Sequence, residues 1–204
     1  MLRNSRFDIR PTNGALGAEI LGVDLAQPLD AGGVAEIRQA LSNRQWDEIQ
    51  AAFAEHGVIF FRDQKLTPEQ HLEFARRWAP IDVNRFFKHV EGYPEIAEVR
   101  KEPEQKTNIG GGWHTDHSYD PEPAMGSILL ARELPDEGGD TLFANMYRAF
   151  ETLSPGLQRT LEGMNAVHGS AHIFGRGGVN DQNPEGKSRY ADQSSKRKVK
   201  AGLT

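Results

Sequence analysis

The sequence predicts an α+β domain, and three observations carry that prediction. Segments with apolar residues three and four apart alternate with compact apolar runs of strand length. Glycine and proline separate these segments at short intervals. The chain has 204 residues, 37% of them hydrophobic and 26% charged, which is enough for one domain of ordinary size.

The elements follow in order. "ALGAEILGVDLAQPL" reads as two brief strand-like pieces around Gly22, ending at Pro28. Two helical patterns come next: Val34, Ile37 and Leu41 share one face, and Trp46, Ile49 and Phe53 share another. His56-Gly57 is a helix stop. "GVIFFRD" is an apolar strand, expected to be buried on both faces. Thr67-Pro68-Glu69-Gln70 joins an N-cap hydroxyl, a proline at the first helical position and a glutamine at the third. That is a capping box, opening a helix to about Trp78.

From Ile81 to Lys106 the pattern is mixed, and Pro94 and Pro103 interrupt any long element. "SILLARELP" is a second strong strand, and "DEGGDTLFANM" turns through glycines into a third. Ser154-Pro155 opens another helix, with Leu157, Leu161 and Met164 on its inner side. Beyond Gly175 the sequence turns polar and glycine-rich, so 176–204 is expected to be a flexible excursion or tail of the single 1–204 domain. The basic run "KRKVK" within it reads as solvated.

Composition excludes several functions. The formal net charge is −5, which gives no reason to expect nucleic acid or an anionic membrane as a partner. With no cysteine there is no disulfide, no thiolate metal site and no cysteine nucleophile. No apolar run approaches the ~20 residues that span a bilayer. The start, "MLRNSRFDIRPTNG", lacks the apolar segment of a secretory signal, so the cytoplasm is the expected compartment.

The chemistry is concentrated in "GGGWHTDHSYD". On a strand, residues i and i+2 share a face, so His114 and Asp116 could reach one ion while Thr115 turns away. An imidazole and a carboxylate, completed by a second histidine, make the facial triad of non-haem Fe(II) oxygenases. The tripeptide alone is a weak signal, since a surface histidine beside an aspartate looks the same.

A wider set of blocks narrows the choice. "LGAEILGVDLAQPL", "HGVIFFRDQKLTPEQHLEFARRW", "GYPEI", "WHTD", "PAMGSILLARELPDEGGDTLFANM" and the helix to "VHGSAHIFG" together resemble the TauD/TfdA family of Fe(II)- and 2-oxoglutarate-dependent dioxygenases. The resemblance runs from about Ala15 to Gly175. It implies a double-stranded β-helix (jelly-roll, cupin-like) core with flanking helices, incomplete at the C-terminus. It makes His114 and Asp116 two of three ligands to Fe(II). It also makes Thr141, in "GGDTLF", the hydroxyl that holds a carboxylate of 2-oxoglutarate, consistent with a charge-assisted hydrogen bond to an anion. Trp113 is expected to pack beside the metal strand. The implied reaction consumes 2-oxoglutarate and O₂, oxidises a small organic substrate, anionic or neutral, and releases succinate and CO₂.

The chain departs from the family pattern in two places. The family's third ligand is a distal histidine followed by an arginine that pairs with 2-oxoglutarate, and the chain ends before that region. His168 and His172 are expected to be helix-end and pocket-lining residues, and Arg176, Arg189 and "KRKVK" have no predicted strand to hold them. The 204-residue chain alone is therefore expected to be a fragment without activity of its own. In the taurine-oxidising branch a histidine and a tyrosine contact the sulfonate. By spacing from "PEI", Asn84 and Phe87 stand at those places here, with Lys88 and His89 beside them, which argues against taurine itself. The alternative is a non-catalytic, truncated binding or regulatory relative of the family, and a homo-oligomer is compatible with either reading.

Overall fold

The computed structural model describes residues 8–12, 16–26, 35–84, 87–104, 110–171 and 196–200, with backbone alone for 35–44 and 196–200. Pro28, Val34, His172, Arg176 and Arg189 lie outside these residues, as does most of the expected tail. The chain divides into two compact units, residues 1–74 with 130–153, and residues 75–129 with 154–204.

In the first unit, β1 (Asp8–Pro11) pairs antiparallel with β2 (Ala18–Leu21), and β2 pairs parallel with β3 (Ile59–Phe60). Between β2 and β3 runs α1, Ala35–His56. The two expected helical patterns form this single helix, because no glycine or proline falls inside it to break the ladder. The second pattern supplies its inner face. Ile49 and Ala52 are buried with Ala18 and Ile20 of β2, and the Trp46 ring meets Phe74 edge-on at 6.0 Å. Helix α1 stops where the sequence says. Gly57 takes φ 69°, and its N–H bonds the Phe53 carbonyl at 2.8 Å, an αL cap that L-residues disfavour. The strand "GVIFFRD" is shorter than expected, and its ladder covers only Ile59–Phe60.

The capping box forms as its residues require. The Thr67 N–H donates to Gln70 Oε1 at 2.9 Å, and the Gln70 N–H donates to Thr67 Oγ1 at 3.4 Å. It opens α2, Pro68–Arg76, whose Leu72 and Phe74 are buried. Gln70 also donates to the Ala26 carbonyl, while Gln64 accepts from the Leu25 N–H and donates to the Val23 carbonyl. Two glutamines thus satisfy the backbone of the segment after β2, where a second strand piece was expected. Helix α3, Met146–Glu151, is capped by Asn145, whose side chain accepts from the Arg148 N–H.

The expected strands "SILLARELP" and "DEGGDTLFANM" are not strands here. Residues 127–145 form no ladder, and Leu129 is 75% exposed. Apolar β-formers favour extended backbone, but a strand exists only where a partner takes up its hydrogen bonds, and no described residue does. The glycine turn between them is present, with Gly138 and Gly139 both at φ 77°.

The second unit holds two antiparallel strand pairs. β4 (His89–Val90) pairs antiparallel with β5 (Tyr93–Ala97) through Gly92 at φ 79°. Pro94 is inside β5, which is tolerated because a two-stranded sheet is all edge. Helix α4, Pro155–Glu162, starts as expected with the Ser154 hydroxyl accepting from the Leu157 N–H at 3.4 Å. Its expected inner face is not covered, since Leu157 and Met164 are exposed among the described residues. The helix was expected to run toward His168. Instead it ends at Gly163, and Asn165–Gly169 forms β6, paired antiparallel with β7 (Lys196–Lys200). The "KRKVK" run, expected within the tail, is therefore a strand. Backbone pairing with β6 supplies the order that its charge does not.

Candidate active site

The motif segment sits in the second unit, between Gly110 and Asp120. The expected strand is absent there, since residues 110–116 form no ladder. Convergence of the two side chains survives without it. His114 Nε2 lies 3.2 Å from Asp116 Oδ1, and both side chains are open to solvent, at 55% and 65% exposure. The pair is brought together by the local chain path, without a neighbouring strand.

The imidazole is fixed from behind. His114 Nδ1 is 2.7 Å from the Gly112 carbonyl. A carbonyl only accepts, so Nδ1 carries the proton and donates, and Nε2 is the atom presented to Asp116. Gly110 makes room for the ring. It takes φ 68°, and a Cβ there would lie 3.2 Å from His114 Cε1. Gly110 thus has a local purpose, which is to bring backbone against the histidine.

This arrangement fits a divalent ion. A lone pair on Nε2 and a carboxylate oxygen 3.2 Å apart repel unless a proton or a cation lies between them. Two neighbouring ligands of an octahedral ion at ~2.1 Å are themselves about 3 Å apart. Nitrogen and oxygen donors suit Fe(II). Among the described residues no third histidine, aspartate or glutamate joins these two.

Around the pair, the segment is tied to its surroundings by a set of side-chain hydrogen bonds. Thr115 Oγ1 donates to Ser118 Oγ at 2.7 Å, and that hydroxyl meets His168 Nδ1 of β6 at 2.8 Å. His168, expected at a helix end, is instead a strand residue bonded to the motif segment. His117 takes φ 55°, and its Nδ1 lies 2.9 Å from Asp120 Oδ2. On its other side, His117 Nε2 is 3.4 Å from Asn84 Nδ2. Only a small share of histidines take the left-handed conformation, so the residue type at 117 gave no sign of this turn.

The candidate substrate residues lie within the same network. Asn84 Oδ1 accepts from the Phe87 N–H at 3.2 Å, and His89 Nε2 donates to the Asn84 carbonyl at 2.8 Å. Asn84, Phe87 and His89 are half-buried, and Lys88 is exposed. An open depression beside them is lined by Asp82, Asp120, Pro121 and Glu122. Thr141 belongs to the first unit, exposed two residues after Gly139. Trp113 does not pack as expected. It is 73% exposed, because no ladder holds its segment against a sheet.

Known proteins place this arrangement in context. A sequence model described as "Taurine catabolism dioxygenase TauD, TfdA family" matches residues 8–198. The chain is 33% identical over 169 residues to the (S)-phenoxypropionate/alpha-ketoglutarate-dioxygenase of Sphingobium herbicidovorans, covering 79% of this chain and 53% of that protein. It is 31% identical over 176 residues to the alpha-ketoglutarate-dependent sulfonate dioxygenase of Saccharomyces cerevisiae, covering 81% and 40%. Among solved structures, a taurine dioxygenase from Burkholderia xenovorans superposes with a TM-score of 0.64 at 33% identity, covering 79% of this chain and 54% of that one. The chain spans about half the length of the curated relatives it matches. By the extent of the family match, the chain belongs to the TauD/TfdA family of dioxygenases.

Proposed function

We propose that the protein is an Fe(II)- and 2-oxoglutarate-dependent dioxygenase that oxidises a small organic substrate. His114 and Asp116 are two of the iron's protein ligands, and Thr141 donates its hydroxyl to a 2-oxoglutarate carboxylate. Asn84 and Phe87 line the substrate side. The observation that carries this reading is the His114–Asp116 pair itself, 3.2 Å apart with the ring proton committed to Gly112, in a chain of this family. The names of the relatives support a small, anionic substrate class, since they act on phenoxypropionate and on sulfonates. A jelly-roll core is the fold proposed for the whole catalytic domain, supported by the likeness to the taurine dioxygenase structure.

When bound, the iron supplies O₂ activation coupled to decarboxylation of 2-oxoglutarate, giving succinate, CO₂ and an oxygenated substrate carbon. The protein's part is geometric. Gly112 holds His114 in the tautomer whose Nε2 can bind a cation, and Asp116 contributes the negative charge that offsets part of the ion's own. Thr141 orients an anion by a charge-assisted hydrogen bond. The test is succinate formation by the protein as encoded, with Fe(II), ascorbate, O₂ and 2-oxoglutarate. Iron-dependent succinate that disappears in both His114→Ala and Asp116→Ala is the expected result. Unchanged succinate in either variant overturns the proposal.

A further inference from the structure

One set of bonds runs from the motif segment to the Asn84–His89 loop, and its donors and acceptors fit one assignment. Asn84 Oδ1 accepts from the Phe87 N–H, so the amide nitrogen is the end that faces His117. That nitrogen only donates, so His117 Nε2 accepts and the ring proton is on Nδ1. Nδ1 in turn points at Asp120 Oδ2, 2.9 Å away, an acceptor that is buried to 8% exposure. Asp82 Oδ2 stands 4.0 Å from the same nitrogen, and the Tyr119 ring lies beside the imidazole at 5.8 Å. The Asp120 N–H also bonds the His117 carbonyl, which closes the turn at φ 55°.

We infer that His117 is a positioning residue, holding Asn84, and through it Phe87 and His89, against the segment that bears His114 and Asp116. The inference rests on the reading of those two as metal ligands. It assigns His117 no bond to the ion and a role in where the substrate side of the site stands. An imidazole suits the task because it accepts at one ring edge and donates at the other, joining an amide to a carboxylate. Glutamine offers a donor and an acceptor on one planar group and so serves as the conservative replacement.

The experiment measures amide hydrogen exchange across residues 82–92 and, in parallel, Co(II) binding by absorbance, in the wild type, His117→Ala, His117→Gln, Asn84→Ala and His114→Ala. Loss of one hydrogen-bond anchor should speed exchange at Phe87 and its neighbours about five- to tenfold in His117→Ala and Asn84→Ala. His117→Gln should restore most of the protection. Co(II) affinity in His117→Ala should fall by no more than about tenfold, the lower end for lost outer partners. His114→Ala should show the reverse pattern, losing Co(II) while keeping the loop protected. Unchanged exchange in His117→Ala overturns the inference, as does a glutamine variant no better than alanine. A wild type that binds no Co(II) overturns the metal reading instead, and the exchange result then decides the loop on its own.

Discussion

Nδ1 of His114 stands 2.7 Å from the carbonyl of Gly112, two residues earlier in the same chain. The partner can only accept, so the bond settles which ring nitrogen holds the proton. Nε2 is left facing the Asp116 carboxylate at 3.2 Å, an arrangement that a cation would relieve. If His114 binds an ion, the Gly112 carbonyl would take the outer-partner role that carboxylates and carbonyls play around metal-bound histidines generally.

Gly110 is the second part of that support, and its replacement is the first prediction. In Gly110→Ala, a Cβ would meet His114 Cε1 at 3.2 Å, on a backbone with φ 68°. The left-handed conformation alone costs a non-glycine residue roughly 1–2 kcal/mol. Relief is expected by displacement of the imidazole, weakening Mn(II) binding about tenfold or more. Equal Mn(II) titrations for variant and wild type would contradict this.

A second prediction concerns the cosubstrate. Thr141→Val removes the hydroxyl and keeps the shape. One charge-assisted hydrogen bond contributes roughly 1.5–3 kcal/mol, so 2-oxoglutarate affinity should fall about ten- to a hundredfold. Metal content should stay the same. An unaltered 2-oxoglutarate titration would leave Thr141 without the role.

Stability gives a third, independent of chemistry. Gly57→Ala places a Cβ 2.8 Å from Leu16 Cδ2 at a position with φ 69°. The αL penalty of about 1–2 kcal/mol is then joined by a clash at the turn from α1 into β3. The expected outcome is an unfolding free energy lower by at least that penalty, read as a lower denaturation midpoint. A midpoint equal to that of the wild type would show that the turn relaxes freely.

Local signals were the ones legible in the sequence. Thr67 with Gln70, Ser154 with Pro155, and Gly57 after His56 each formed as read, because a cap is decided by residues within one turn of it. Long-range pairing was not legible in the same way. Ile128 to Leu134 has strand composition and no ladder, while the charged Lys196–Lys200 has a ladder and no strand composition. Both outcomes turn on which segment lies alongside, and composition does not carry that information. In the site, His114 and Asp116 do converge as their spacing of two indicated, although the strand invoked for it does not form. The His117–Asp120 bond did not, since it depends on a left-handed turn that the sequence leaves unmarked.

The most direct measurement is Mn(II) binding by the protein, followed by electron paramagnetic resonance of the free ion, for wild type, His114→Ala and Asp116→Ala. The wild type should bind Mn(II) saturably and more tightly when 2-oxoglutarate is present. Each variant should lose at least about tenfold in affinity and the response to 2-oxoglutarate with it. Wild-type binding retained in either variant would contradict the assignment of His114 and Asp116 as the metal pair.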